Sequence, residues 1–425
     1  MILTKTYYID KTNSYYALLD SFCFKSKNLY NNALFHIKQY YFLQRNIEEN
    51  KSIDNLKVSD IVKECMKNKG NYIDYNKLDY ICKKEEGSLK DDYKAMPISS
   101  SAQGTLKQLH NNWVSYFKAL KAYKKRKGKF TGMPKPPKYL GKRDRNIIYL
   151  TNQNCKIKEG KIVFPKSFNG FTLDTDLDNL KQVRIMLRNE LIVIEVCYEV
   201  IEKDKKLDNK RYLSIDIGVD NLAAITNNFD GRQWLISGKP LKSENQYYNK
   251  INAELKSKAK KCNNKNITER IRKITRNRNN FMKTYMHKAS KKLLEIALSC
   301  DVSKVIIGHN KGWKQETNMG KRCNQNFVGI PFNQFIAYIK YKCELEGIEV
   351  IEVNESYTSG TSYIDREKPI KSNYNKSRRI KRGLFKSDKG RILNADINGS
   401  YQINKKYTKE DYYVEPKELK VIKVL

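Results

Sequence analysis

The sequence lacks any run of apolar residues that approaches the roughly 18 needed to cross a membrane. Its first residues, MILTKTYYIDKTNS, lack the apolar core of a signal peptide. It also lacks any Cys-x-x-Cys pair, and its nine cysteines are widely separated. This argues against a disulfide framework and a cysteine-type zinc site, and it favours reduced, mostly buried thiols. We therefore expect a cytoplasmic protein with no membrane partner.

Acidic residues are scarce relative to basic ones. The chain has 46 Asp and Glu against 83 Lys and Arg, which gives a formal net charge of +37. The basic residues are spread along the chain rather than confined to one tail, a distribution that favours nucleic acid as the partner over a membrane patch. The alternative is a composition that reflects a Lys- and Asn-rich genome and involves no polyanionic partner.

Apolar periodicity divides the first half of the chain into a helical part and a β-rich part. The spacing predicts long helices over residues 15–45 and 99–125. Residues 128–145 have no periodicity and several Gly and Pro breaks, which is typical of a linker. Alternating strand patterns follow over residues 146–200, and residues 2–9 carry a further one. We expect a small β-domain that the N-terminal strand completes.

Strands and helices alternate in the second half. Residues 211–226 predict a buried strand and its antiparallel neighbour, and residues 243–299 predict a long basic helical hairpin. The order strand, helix, strand over residues 304–353 predicts a parallel crossover. The predicted fold class is α/β multidomain, with about three domains for this length.

Three isolated carboxylates fall at the ends of predicted elements in this half. Asp216 interrupts the apolar strand, Asp396 precedes a short helix, and Glu355 lies just past the last crossover strand. Because the carboxyl ends of parallel strands open on one edge of the sheet, these side chains can gather there. Such a set could hold two Mg²⁺ ions, with Mn²⁺ as an alternative, for phosphodiester hydrolysis. The plainer interpretation of Asp216 is a strand-end residue that caps a turn.

Clusters of basic residues mark candidate nucleic-acid contacts, by phosphate pairing and by stacking on interleaved aromatics. The alternative for the clusters on helices is that the apolar stripe of the helix packs in the core while its basic face is simply solvated. The candidates are Lys124, Lys125, Arg126, Lys129, Arg270, Arg272, Arg276, Arg278, Arg378, Arg379 and Arg382.

Four ordered motifs connect these residues to a known family. SIDIGVDNLAAIT, KVIIGHNKGWKQ, NQNFVGIPFNQFIAYIKYKCELEGIEVIEVNESYTS and RGLFKSDKGRILNADINGSYQI resemble, in order and spacing, the RuvC-like half of TnpB proteins. TnpB proteins are transposon-encoded, RNA-guided DNA endonucleases related to the type V CRISPR effectors. The resemblance is strongest over residues 203–405.

The resemblance implies a β-barrel wedge domain with an inserted helical recognition domain, followed by an RNase H-like (RuvC) nuclease domain. By position, Asp216 corresponds to the first catalytic aspartate of the family and Asp396 to the last. The expected divisions are a wedge domain at residues 1–10 and 126–205, a helical domain at 11–125, a nuclease domain at 206–356 and 391–406, a degenerate zinc-finger-like target-binding insert at 357–390, and a C-terminal tail at 407–425.

Two departures from the family pattern affect the predicted site. Most TnpB proteins have a catalytic Glu directly after the strand that ends in Ile307, where this chain has Gly308, His309 and Asn310. We hypothesise that Glu355, at the end of the neighbouring strand, supplies the missing catalytic carboxylate and metal ligand. His309 could replace that ligand, or it could simply be a hydrogen-bonded turn residue.

The second departure concerns zinc. Where the family usually has four cysteines, this chain has Ser362, Asp365 and Ser387 with no thiol nearby. A structural zinc ion is therefore not expected, and basic residues of the loop KSNYNKSRRIKRG could hold the insert against nucleic acid instead.

The function implied is an RNA-guided DNA endonuclease of a transposable element, which cuts target DNA beside a short adjacent motif. Its partners would be a guide RNA derived from the transposon end and double-stranded target DNA. Two alternatives remain. One is a catalytically dead RNA-guided DNA-binding regulator, supported by the missing Glu. The other is a guide-free nuclease, which would need neither the long helical insertion nor so extensive a basic surface.

Overall fold

The structure, a computed structural model, describes residues 1–48, 72–84, 87–203, 209–264, 266–310, 325, 327–381, 383–409 and 412–424. It divides the chain into two compact units, Met1–Val200 and Ile201–Leu425. The boundary lies between the strand Leu191–Glu199 and the strand Tyr212–Asp216. None of the described helices combines the length and the apolar character needed to cross a membrane.

A four-stranded antiparallel sheet forms one part of the first unit. Its strands are β1 (Ile2–Ile9), β2 (Ile148–Thr151), β6 (Gln182–Arg188) and β7 (Leu191–Glu199), in the order β1-β7-β6-β2. The N-terminal strand pairs along its whole length with β7, from Ile2 opposite Glu199 to Ile9 opposite Ile192, as the sequence predicts. Asn189 and Glu190 form the β6–β7 turn with φ of 50° and 67°, the positive values that a tight hairpin requires.

Three short strands form a second sheet in this unit: β3 (Lys156–Lys158), β4 (Lys161–Val163) and β5 (Thr172–Asp174). Glu159 and Gly160 turn β3 into β4 at positive φ, where the sequence signals a turn. The described strands of the first unit therefore form two hydrogen-bonded sheets, and their closure into a β-barrel stays a prediction.

Four described helices belong to the first unit: α1 (Tyr16–Glu48), α2 (Tyr75–Lys84), α3 (Ser88–Lys94) and α4 (Ser99–Lys125). The apolar stripe of α4 is core, as its spacing predicts, because Leu106, Leu109 and Trp113 are 0% exposed. Much of the polar stretch at residues 50–87 lies outside the described residues.

A six-stranded mixed sheet is the centre of the second unit. It contains β8 (Tyr212–Asp216), β9 (Asn221–Asn227), β10 (Gln233–Ser237), β11 (Lys304–Gly308), β12 (Glu349–Val353) and β15 (Leu419–Ile422), in the order β12-β11-β8-β9-β10-β15. β8, β9 and β10 form an antiparallel meander, whereas β11 runs parallel to both β8 and β12. The predicted crossover is thus confirmed, and the mixed α/β class with it.

Helices cover both faces of this sheet. α5 (Lys239–Asn263) and α6 (Glu269–Ser299) form the predicted hairpin, and α7 (Phe332–Leu345) packs against α6. α8 (Ala395–Thr408) packs against β8 and β9. Alternation along β9 separates the two cores: Ala223 and Ile225 belong to the larger core with α6 and α7, and Ala224 belongs to the smaller core with α8.

The insert and the C-terminal segment are joined to α8 by stacked tyrosines. The ring of Tyr363 lies 4.2 Å from that of Tyr401 and 5.3 Å from that of Tyr413, and both pairs are stacked. Further on, β15 pairs parallel with β10 and becomes the sixth strand of the sheet. Part of the predicted tail is therefore built into the second unit. The short hairpin of β13 (Leu384–Lys386) and β14 (Ile392–Asn394) crosses the predicted C-terminal boundary of the insert at residue 390.

Candidate active site

Asp216 is the last residue of β8, and its carboxylate lies against the helix that crosses the sheet there. A methyl group added at Gly399 of α8 would lie 2.4 Å from Oδ2 of Asp216, well inside van der Waals contact. The hydroxyl of Ser400 donates to the carbonyl of Ser214 at 2.8 Å and holds the helix against the strand. The absence of a side chain at Gly399 therefore makes the space that the Asp216 carboxylate occupies.

Asp396 lies in the first turn of α8. The side chain of Asn394 caps this helix by accepting from the amides of Asp396 and Ile397 at 3.0 and 3.2 Å. Asn221, the first residue of β9, donates its amide to Oδ2 of Asp396 at 2.8 Å. A guanidinium nitrogen of Arg379 lies 3.9 Å from Oδ1. The orientation of Asp396 is thus set by its own helix cap and by two neighbours from other elements.

Glu355 follows β12. Its side chain is held by residues at the end of β11, the position at which the resemblance to TnpB places a catalytic Glu. The side chain of Asn310 donates to Oε1 of Glu355 and accepts from the Glu355 amide, each at 3.2 Å. A methyl group added at Gly308 would lie 3.4 Å from Oε2. The nearest atom to such a methyl group is Cδ1 of Ile403, at 2.4 Å, so Gly308 makes room for that side chain of α8. Asn310 fixes Glu355, and the relocated carboxylate stays a hypothesis.

The charges of Asp396 and Glu355 act on the carboxyl group of Asp216. Loss of contact with water raises the pKa of Asp216 well above its usual range, and the charges of Asp396 and Glu355 raise it further, whereas Arg379 opposes the shift. Withdrawal from water also raises the pKa of Glu355, while His309 and Lys406 oppose it. Like charges that raise a neighbour's pKa must lie close to it.

The donor atoms suit a hard divalent cation, because all are carboxylate oxygens and three negative charges repel one another until a cation compensates them. Within the described part of the chain, however, no group of three His, Cys, Asp or Glu side chains already has the spacing of metal ligands. Binding by all three would require at least one of these side chains to change rotamer.

Glu352 and His309 belong to a different contact. Glu352 accepts from Lys340 of α7, and its Oε2 lies 2.6 Å from Nδ1 of His309. Lys340 and His309 also lower the pKa of Glu352, against the effect of burial. Glu352 thus binds two basic neighbours, and His309 is a hydrogen-bonded residue after its strand.

Asp216→Asn is expected to raise the melting temperature measured in EDTA at neutral pH, by about 2–4 °C for each kcal/mol gained in a unit of this size. A carboxyl with a raised folded-state pKa binds its proton more tightly in the folded than in the unfolded chain. Stability therefore falls as pH rises from the ordinary value near 4 towards the raised pKa. The gain from Asn should shrink near pH 4, and an equal gain at both pH values would contradict this origin.

The predicted nucleic-acid contacts have different surroundings in the structure. Lys124, Lys125, Arg126, Lys129 and Arg270 are exposed, and Arg272 and Arg276 are half-buried. Arg379 is 42% exposed beside Asp396. Arg382 lies outside the described residues.

Arg278 and Arg378 are hydrogen-bonded to other residues of the protein. Arg278 donates to the side chain of Asn245 at 2.7 Å and to the carbonyl of Gly329, and burial lowers its pKa. Arg378 is 10% exposed and binds Glu367 through two parallel bonds of 2.5 and 2.7 Å. Both guanidinium groups thus have partners within the protein in this arrangement, and their contact with nucleic acid stays a prediction.

The insert is held together around Arg378. Besides Glu367, this guanidinium donates to both oxygens of Asp388, at 3.1 and 2.6 Å. The residues at the positions of the family's cysteines join the same network: Asp365 accepts from the amide of Asp388 at 2.8 Å, and Ser387 accepts from the amide of Arg391 at 3.1 Å. Charge-assisted bonds from Arg378 thus link the segments of the insert that contain Glu367 and Asp388.

Arg378→Gln is expected to destabilise the second unit by about 2 kcal/mol, because it leaves the half-buried Glu367 carboxylate without its cation. Amides of residues 362–390 should then exchange faster with deuterium than in the parent protein. The neighbouring Arg379→Gln is the matched control and should change stability by less than about 0.5 kcal/mol. Equal exchange in both variants would show that the Arg378 network does not hold the insert.

Two family models match the part of the chain that contains these carboxylates. Residues 195–314 match the family OrfB_IS605, described as a probable transposase, and residues 332–403 match the Cas12f1-like TNB domain. The first match contains Asp216, and the second contains Glu355 and Asp396. No curated protein matches the chain.

Solved structures give weaker likenesses. The chain is 15% identical to one in a Cas12f1–sgRNA–target DNA complex, with a TM-score of 0.36 over 94% of this chain and 98% of that one. It is 13% identical to one in a CRISPR-Cas12f ternary complex, with a TM-score of 0.38 over 91% and 80%. Likenesses at this level support no inference about function.

Proposed function

The chain is TnpB-like over its C-terminal half and is related to the type V effectors, and from this premise we propose that it is an RNA-guided DNA endonuclease of a transposable element. It would cut target DNA beside a short adjacent motif. The observation that supports the proposal is that Asp216 ends β8, Glu355 follows the parallel strand β12, and Asp396 lies in the first turn of α8, the helix that packs on β8.

The fold of the second unit supports a nuclease domain of the RNase H-like (RuvC) kind. Its antiparallel meander is followed by two strands parallel to β8, so that β8 and β12 end on the same edge. Chemistry in such sheets takes place beyond the carboxyl ends of the strands. Asp216 and Glu355 lie at those ends, and α8 carries Asp396 to the same place.

Mg²⁺, or Mn²⁺ in its place, is the proposed cofactor, held by Asp216, Glu355 and Asp396. When bound, it would activate water and stabilise the leaving oxygen in phosphodiester hydrolysis. The neighbouring residues keep these carboxylates in position: Gly399 leaves space for Asp216, Asn221 binds Asp396, and Asn310 binds Glu355.

The proposed partners are a guide RNA from the transposon end and double-stranded target DNA. The net charge of +37 supports binding to long polyanions such as RNA and DNA. Exposed basic residues at the end of α4 and at the start of α6 are the proposed phosphate contacts. Guide pairing would supply the sequence reading, and the protein would bind the heteroduplex through its backbone.

The test begins with the RNA that copurifies with the full-length protein. Its sequence defines a matched DNA duplex, which is offered with randomised flanks in Mg²⁺ to the parent protein and to Asp216→Ala. Guide-dependent cutting by the parent alone is the expected result. If both proteins bind the matched duplex and neither cuts it, the protein is a regulator. If no RNA copurifies and cutting needs no guide, it is a guide-free nuclease.

A further inference from the structure

Three side chains from three different elements meet where the parallel strands β11 and β12 end. Glu352 lies on β12, Lys340 lies on α7, and His309 directly follows β11. Lys340 donates to Oε1 of Glu352, and Nδ1 of His309 lies 2.6 Å from Oε2. Glu352 therefore bridges the helix and the loop after β11. We call these three residues the Glu352 network.

The position of a hydrogen on the His309 ring follows from the charge of its partner. Lys340 lowers the pKa of Glu352 and His309 lowers it further, although burial opposes both. The Glu352 carboxylate is therefore ionised at neutral pH and can only accept hydrogen bonds. Nδ1 of His309 must then carry a hydrogen and donate it to Glu352. This bond sets the orientation of the imidazole ring.

Stability alone does not explain polar side chains at this place. Only 10% of the His309 side chain and 25% of the Glu352 side chain are exposed. Withdrawing such groups from water costs free energy, and apolar side chains of similar size are often at least as stabilising as a buried ion pair. At the opposite end of the same strands, Glu349 pairs with Lys304 and is 60% exposed. The polar groups withdrawn from water thus lie at the end that leads to Glu355.

The loop after β11 is bonded to the loop after β12 as far as Glu355. The paired register of the two strands ends at Gly308 opposite Val353. The amide of His309 extends this pairing by donating to the carbonyl of Val353 at 2.9 Å. One residue further on, the side chain of Asn310 accepts from the amide of Glu355 and donates to its Oε1. His309 therefore lies between the end of the sheet and the side chain that holds Glu355.

We propose that His309 is a positioning residue, whose bond to Glu352 holds the loop after β11 in the conformation in which Asn310 presents the Glu355 carboxylate to a divalent cation. The inference rests on the proposed function and adds a residue to it. His309 acts through Asn310 and does not touch the cation. A carboxylate that is already held in place loses less rotamer freedom when the cation binds, so the cation binds more tightly.

The first test measures hydrogen exchange of the Glu355 amide in the full-length protein without metal. This amide donates to Asn310, so its protection reports the contact directly. His309→Ala should exchange at least about tenfold faster than the parent, the value of one lost bond to a charged group. Glu349→Ala, at the other end of β12, is the matched control and should exchange like the parent. Parental protection in His309→Ala, or an unprotected amide in the parent, would overturn the proposal.

Two conservative variants separate the donor at Nδ1 from the rest of the ring. The amide nitrogen of an asparagine side chain lies close to the position of Nδ1, whereas that of a glutamine lies close to the position of Nε2. His309→Asn should therefore protect the Glu355 amide like the parent, and His309→Gln should not. Because both variants keep a polar side chain, their comparison remains valid even if His309→Ala fails to fold. Equal exchange in the two variants would contradict the role assigned to Nδ1.

Binding of Mn²⁺ to the same full-length proteins, followed by electron paramagnetic resonance, connects the Glu352 network to the cation. His309→Gln should bind Mn²⁺ at least about tenfold more weakly than the parent, and His309→Asn should bind it equally well. The reverse order would show that Nε2 itself binds the cation, and would overturn the positioning role. If the parent binds Mn²⁺ no more tightly than Asp216→Ala does, the proposed cation site fails. The exchange rates then still decide whether His309 positions Glu355.

Discussion

Glu355→Gln is expected to slow cleavage of guide-matched DNA at least about 100-fold, with guide RNA and target DNA still bound. The substitution keeps the shape of the side chain and its contact with Asn310, but removes the negative charge that would hold a divalent cation. A loss of about 3 kcal/mol of transition-state stabilisation corresponds to this factor. The measurement is the single-turnover rate of the RNA-bound protein in Mg²⁺, with target binding measured in parallel.

Glu349→Gln is the matched control on the same strand. Glu349 lies at the other end of β12, where it pairs at 2.9 Å with Lys304 and is 60% exposed. An exposed ion pair contributes little to stability, so this variant should cut like the parent. If Glu355→Gln also cuts at the parental rate, Glu355 is not the third ligand, and the hypothesis of a relocated carboxylate fails.

The sequence predicts the sheet of the second unit and the place where its carboxylates meet, for a physical reason. Buried strands require continuous apolar runs, so a lone Asp216 in such a run is visible without any structure. A parallel crossover fixes the direction of two strands at once, and therefore the edge at which Glu355 must lie. The contact between β8 and β11 then brings Glu355 towards Asp216, as the raised pKa of Asp216 indicates.

The uncharged residues that position the carboxylates have no such signal. Asn221, Asn310 and Gly399 carry neither charge nor apolar periodicity, and their roles depend on contacts between elements that are distant in the chain. The one available hint is that two of them, Asn221 and Gly399, lie within a few residues of a lone aspartate. Asn310 lies two residues past the end of β11.

The arginines show a different limit, because a strong basic signal in the sequence does not reveal which side chains are bonded within the protein. A basic run predicts phosphate contacts because Lys and Arg rarely lie buried, and most side chains in such a run do face solvent. Whether one of them is instead bonded internally depends on acids that the fold brings near. Arg378 meets Glu367 and Asp388, which lie on either side of it in the insert. The sequence shows these acids but not their convergence.

Gly399→Ala is expected to slow cleavage at least about tenfold, although alanine is the better helix former by about 1 kcal/mol. The new methyl group would lie 2.4 Å from Oδ2 of Asp216, so either the carboxylate or α8 must move. Displacement by about an ångström at a catalytic group is enough for a loss of this size or more. The single-turnover rate measures the effect. Gly128→Ala, with no atom within 4 Å of the added methyl group, is the control.

A double-mutant cycle distinguishes this clash from a general defect of α8. In the Asp216→Ala background the obstructing carboxylate is absent, so Gly399→Ala should recover its ordinary helix preference and raise the melting temperature. In the parent background the same substitution should lower it, because the methyl group and the carboxylate compete for one space. Opposite signs in the two backgrounds would locate the conflict at Asp216. The same sign in both would mean that Gly399 serves the packing of α8 and not the position of the catalytic carboxylate.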